Sequence, residues 1–135
     1  MFKVLSFLVS IVMLALPATA AETAPMSVSG AKTVSVEEAA ALFDEGVAFV
    51  DVRKHSDFSA GRIPEAIHLD LADNYSEETL RDVVAQSDAV VIYCNGINCL
   101  RSSKACAMAV EWGYSNVYYL RDGFPAWESA GMPVE

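Results

Sequence analysis

The chain has 135 residues, with 18 acidic side chains against nine Lys and Arg and a formal net charge of −9. That balance argues against nucleic acid or an anionic membrane surface as a partner, and the length suffices for one core rather than two. Three cysteines, Cys94, Cys99 and Cys106, are an odd number, so at most one pair closes within the chain and at least one thiol is left over.

Residues 1–20 have the layout of a secretory signal peptide: Lys3, an apolar run from Val4 to Leu16, and Ala18-Thr19-Ala20 before the cut. Cleavage there implies an exported, periplasmic protein with no membrane attachment afterwards; an uncleaved anchor is the alternative. Residues 21–31 are small, polar and proline-containing, which predicts a flexible lead-in, and residues 32–135 form the domain. Thr33-Val34 suits a short edge strand. Ser35 and Glu38 fit a capping box opening a helix that Gly46 closes. The apolar run Val47–Val52 reads as a buried strand, His55–Gly61 as one or two helical turns, and Ala66–Leu69 as a short strand. Ser76 opens a helix to about Gln86. Ala89–Tyr93 is a strongly hydrophobic strand, followed by a loop with Gly96 and a helix over residues 101–113. Asn116–Leu120 is a last strand and Phe124–Ala130 a last helix. Strands alternating with helices at this pace imply βαβ units, hence an α/β fold whose parallel sheet is covered by helices on both faces.

Ligands of such sheets bind beyond the carboxyl ends of the strands. Three strands end there in polar residues: Asp51 and Arg53, Cys94, and Arg121-Asp122. A thiol between a strand end and a helix N-terminus faces backbone N–H groups and the positive end of the helix dipole, which favours thiolate. With Arg101 at the helix start, the same place suits an oxyanion such as sulfate, thiosulfate or phosphate. From the residues alone, a lone Cys ending a strand is more often a small buried hydrophobe than a nucleophile. His55 and His68 lack Cys or carboxylate partners at ligand spacing, and no CxxC, HExxH or Gly-rich nucleotide loop occurs, so neither metal nor cofactor is expected. Cys106, among Ala105, Ala107 and Met108, reads as core.

The ordered set of Asp51-Val52-Arg53, the turn Gly61-Arg62-Ile63-Pro64-Glu65-Ala66, Tyr93-Cys94 followed by Arg101-Ser102, and the closing GFPAWESAGMPV resembles the single-domain rhodaneses, a sulfurtransferase family, over about Ser35 to Glu135. The resemblance implies a rhodanese-like five-stranded parallel sheet. It makes Cys94 the nucleophile that takes sulfane sulfur as a persulfide. The backbone amides of Asn95, Gly96, Ile97, Asn98, Cys99 and Leu100 would form an anion cradle that Arg101 and Ser102 close. The donor would be a small sulfur anion and the acceptor cyanide or a thiol, including that of a partner protein. Asp51 and Arg53 would be structural, Arg53 pairing with residues such as Asp57, and Trp127 and Pro133 would pack. Two departures stand out. The loop CNGINCLR is C-x6-R, where the family commonly has C-x4-R and related phosphatases C-x5-R, and Arg62 and Glu65 stand where the family's turn has His and Gly. Cys99 inside the cradle leaves two readings open: a redox partner of Cys94, which would make the chain a thiol–disulfide or sulfur-carrier module, or a side chain packed under the loop.

Overall fold

The strands form where short apolar runs meet turn residues, and a computed structural model describes them within residues 22–135; the expected signal peptide lies outside the described residues. In chain order the elements are β1 (Ala31–Thr33), α1 (Val36–Asp44), β2 (Ala48–Asp51), α2 (His55–Ala60), β3 (Ile67–His68), α3 (Glu77–Val83), β4 (Val90–Tyr93), α4 (Arg101–Glu111), β5 (Val117–Leu120) and α5 (Gly123–Ser129). All strands are parallel, in the order β1-β5-β4-β2-β3.

The centre of the sheet is β4, and its four side chains are all buried. Alternation along this strand divides the core. Val90 and Ile92 pack with Leu80 of α3 and Ala105, Cys106 and Ala109 of α4. Val91 and Tyr93 pack on the opposite face with Ala39 of α1 and Phe124 and Trp127 of α5. A strand buried on both faces must be continuously apolar, and VVIY is. Trp127 is fully buried, stands edge-on to Phe43 and Phe49, and donates its indole N–H to the Pro133 carbonyl at 2.6 Å. Cys106 is fully buried too, and burial pushes its thiol pKa up.

Local capping signals placed two of the five described helix starts. Ser35 and Glu38 close a reciprocal capping box on α1, and Ser76 with Thr79 does the same for α3. Most boundaries shift by a residue or two, and three of the shifts have a plain cause. β1 begins at Ala31 rather than Thr33, because pairing with β5 selects Ala31, Lys32 and Thr33 as partners of Val117, Tyr118 and Tyr119. β3 shrinks to two residues, since as an edge strand it has only β2 to pair with. α3 ends at Val83, with Val84 extended into the core.

Contacts of the lead-in run against the expectation of a flexible segment. Ala24 is buried and its N–H donates to the Ile97 carbonyl at 2.6 Å. Arg121 donates to the carbonyls of Ala24 and Pro25, the Tyr119 hydroxyl donates to Pro25, and the Thr33 hydroxyl donates to Met26. The composition is small and polar, and the Ala24 and Pro25 carbonyls are nonetheless engaged by Arg121. Glu65, where the family's turn has Gly, adopts φ 63°, and its N–H donates to the Glu135 carboxylate at 3.1 Å. A non-glycine residue there carries strain of about 1–2 kcal/mol.

Candidate active site

The sheet register sets the site. Asp51, Tyr93 and Leu120 lie level across β2, β4 and β5, so the residues just after them, Val52-Arg53, Cys94 and Arg121, emerge along one edge. Cys94 is 1% exposed, at the end of the central strand. From there the chain must turn within six residues into α4, whose first-turn N–H groups have no intrahelical acceptor.

The loop closes through a turn in which the Cys99 N–H donates to the Gly96 carbonyl at 2.9 Å. With the Cys94–Cys99 disulfide closed, the Cys99 amide, expected in the anion cradle, is used within the loop. Gly96 has φ 110°, and Gly123, at φ 70° at the start of α5, abuts the loop so closely that a Cβ there would meet the Gly96 nitrogen and, at 2.5 Å, the Cys94 carbonyl. The Cys94 carbonyl accepts from the Phe124 N–H at 2.9 Å. α5 is therefore the back wall of the loop, which makes the first glycine of the closing GFPAW sequence part of the site.

Cys94 and Cys99 are joined by a disulfide, with Cα atoms 6.4 Å apart, inside the range a disulfide requires. Cys99 is thus bonded to Cys94 rather than simply packed under the loop. Cys106, in the core, is a free thiol.

Arg53 is almost completely buried and reaches further than expected. It does not pair with Asp57. Its Nε and Nη2 grip the Asp51 carboxylate, at 2.7 Å for the shortest bond, Nη2 also donates to the Gly61 carbonyl, and Nη1 donates to Asn95 Oδ1 at 3.2 Å. Its guanidinium lies 4.6 Å from the Phe124 ring centroid. Burial alone would lower the Arg53 pKa, but the Asp51 carboxylate more than offsets it, and the net direction is upward. Asn95 Nδ2 donates onward to Asp57 at 2.8 Å, so Asn95 supplies the link to α2 that was expected of Arg53 itself. The physical reason is geometric: two residues along the same chain, Asp51 and Arg53 meet head-on once Val52 turns inward.

Arg101, expected to close the cradle, spends Nη1 on the Val52 carbonyl at 3.1 Å and on Asp70 Oδ1 at 2.7 Å. Among the described residues its other guanidinium N–H groups have no partner. Asp70 was not foreseen. It follows β3, accepts from the Ala72 N–H at 2.9 Å, and so holds Arg101 across the end of β2. Desolvation alone would raise the Asp70 pKa; the Ala72 amide and Arg101 outweigh it and hold the carboxyl below its ordinary range. Ser102 Oγ is buried and, among the described residues, has no hydrogen-bond partner. His68 donates from Nε2 to the Arg53 carbonyl at 2.7 Å and stacks on Phe58, a structural role. The closing loop residues Asn95, Gly96, Ile97 and Asn98 form, with Asp122, Pro125, Ala126 and Ser129, a shallow groove beside Cys94, in which Ile97 is notably exposed. Leu100 precedes α4 and caps it only through its backbone.

Residues 35–130 match the family model of the rhodanese-like domain. The chain is 35% identical over 101 residues to the thiosulfate sulfurtransferase GlpE of Pseudomonas savastanoi pv. phaseolicola, covering 73% of this chain and 88% of that protein. It is 40% identical over 93 residues to the HTH-type transcriptional regulator Rv0324 of Mycobacterium tuberculosis, covering 66% of this chain but only 38% of the regulator's length. The crystal structure of the BH2092 protein from Bacillus halodurans superposes with a TM-score of 0.69 at 23% identity, over 78% of this chain and 77% of that one, a likeness of fold.

Proposed function

This chain belongs to the rhodanese-like domain family, and on that footing we propose that it is a sulfurtransferase that carries sulfane sulfur on Cys94 as a persulfide, drawn from thiosulfate or a related donor and passed to cyanide or a thiol. The observation that supports this reading is the position of Cys94 at the end of the central strand, on the loop that leads into the eleven-residue helix α4. Once the disulfide is reduced, the α4 dipole and its first-turn amides favour the Cys94 thiolate. The thiolate attacks the outer sulfur of thiosulfate, the sulfur–sulfur bond breaks, and sulfite leaves with the electron pair. Arg101, held by Asp70 through Nη1, retains N–H donors for the anion, and Ser102 Oγ is a buried hydroxyl whose unmet hydrogen bond a ligand at the helix start can take up. The signal-like layout of residues 1–20 supports a periplasmic setting for this chemistry, after removal of the leader.

Thiosulfate:cyanide sulfur transfer by the purified, reduced protein tests the reading. Cys94→Ser abolishes it, while Cys106→Ser leaves it largely intact; equal activity in Cys94→Ser and wild type would remove the assignment. One observation favours a second reading: the Cys94–Cys99 disulfide is what a thiol–disulfide module would form. That reading expects dithiol oxidation by Cys94 and Cys99 with no sulfur bound at any stage.

A further inference from the structure

We infer that Cys99 is a resolving thiol that turns the Cys94 persulfide into free hydrosulfide, so that the site releases sulfide and closes as the disulfide seen in the structure. The inference rests on the persulfide reading above and adds a second half-reaction to it.

The geometry is that of an intramolecular attack. Cys99 lies five residues beyond Cys94 with Cα atoms 6.4 Å apart, and its sulfur is bonded to Cys94 Sγ. The turn from Gly96 to Cys99 and the bond from the Ala24 N–H to Ile97 keep the loop in the shape that brings the two sulfurs together. The remaining cysteine cannot compete, because Cys106 is fully buried in the core and its thiol is held protonated. A nucleophile tethered this closely acts at an effective concentration in the millimolar range or above, so an external acceptor must reach that level before it diverts the sulfur.

The step balances without an added oxidant. The Cys94 persulfide carries one negative charge on its outer sulfur. The Cys99 sulfur attacks Cys94 Sγ and forms the new sulfur–sulfur bond. The bond from Cys94 Sγ to the outer sulfur breaks with its electron pair on the outer sulfur, which takes the Cys99 proton and leaves as hydrosulfide. Over both half-reactions the two cysteine thiols are oxidised to a disulfide and the sulfane sulfur is reduced to sulfide. Turnover then needs a dithiol reductant, either a small dithiol or a dithiol protein. Cys94 is 1% exposed and Cys99 only partly buried, so the incoming thiol attacks the Cys99 sulfur and expels the Cys94 thiolate, the better-stabilised leaving group at the α4 N-terminus.

The test is a single turnover without reductant. The protein is reduced, freed of dithiol under anaerobic conditions, and mixed with one equivalent of thiosulfate, or in a second arm with a small thiol persulfide. Hydrosulfide, sulfite and the mass of the Cys94–Cys99 peptide are then measured. Wild type should release close to one equivalent of hydrosulfide and lose two hydrogens, about 2 Da, across the two cysteines. Cys99→Ser, and Cys99→Ala as a check on folding, should take up sulfur, keep a gain of about 32 Da, and release hydrosulfide at least about 10-fold less. Cyanide added afterwards should draw thiocyanate from the variants and little from wild type. A wild type that holds its persulfide and releases no more hydrosulfide than Cys99→Ser overturns the inference while sulfur transfer stands. Failure of every protein to take up sulfur from either donor overturns the persulfide reading itself and the inference with it.

Discussion

Replacing Arg53 with alanine should unfold the site and much of the domain's stability together. Arg53 is 3% exposed, and it is the partner of an Asp51 carboxylate that is 0% exposed. Truncation leaves that carboxylate buried without its countercharge, and breaking such a pair from one side costs about 3–5 kcal/mol. A domain of this size holds about 5–15 kcal/mol in all, so the loss is about a fifth of the total or more. With roughly 4–6 °C per kcal/mol for a chain of about this length, the melting temperature should fall by about 12–30 °C. Removing both charges, as in Asp51→Asn with Arg53→Met, should restore a good part of that loss, since a buried pair replaced by neutral groups of similar size is close to neutral in energy. Activity should not return with it. Arg53 also donates to the Gly61 carbonyl and to Asn95 in the Cys94 loop, and methionine supplies neither bond. Calorimetry of wild type, single and double variants, alongside thiosulfate:cyanide transfer, separates the two roles. A fall of less than about 3 °C in Arg53→Ala, or a double variant no more stable than the single one, would refute the assignment of Asp51–Arg53 as a buried ion pair.

Arg101→Ala should lower kcat/KM for thiosulfate by about 10-fold or more, about 1.4 kcal/mol of transition-state binding, with little change in melting temperature because its pair with Asp70 is partly exposed; steady-state kinetics beside a thermal melt decides it, and a stability loss with intact kinetics would make Arg101 structural. Asp70 titrates below its ordinary range, so its contribution is present above the unfolded carboxyl pKa and is lost as pH falls through the depressed folded value. The stability gap between wild type and Asp70→Asn, from urea unfolding, should therefore hold steady from pH 7 to about pH 5 and narrow only below about pH 4; narrowing above pH 5 would contradict the shift. Gly123→Ala places a Cβ against the Gly96 nitrogen and the Cys94 carbonyl at φ 70°, which should cost about 2 kcal/mol or more and impair sulfur transfer, read by urea unfolding and the same assay.

Much of the architecture is written locally. VVIY announces a strand buried on both faces, Ser35 with Glu38 announces a helix start, and Cys94 sits at a strand end before a helix in any reading of the chain. These features need only neighbours within a few residues, and period and capping chemistry encode them. The family resemblance extended that reading to the nucleophile and the loop. What surrounds Cys94 was not legible, because it depends on which strands become neighbours. The order β1-β5-β4-β2-β3 sets the end of β2 beside β4, and only then does Arg53 reach Asn95, 42 residues away, and Arg101 reach Asp70, 31 residues away. The same order brings β5 beside β1, so that Arg121 finds the carbonyls of Ala24 and Pro25 and the lead-in is pinned against the Cys94 loop. Cys99 shows the division most plainly: its presence in the loop was evident from the chain, but its bond to Cys94 required the loop to fold back against α5, where Gly96 and Gly123 touch, and no local pattern states how closely two distant backbones approach.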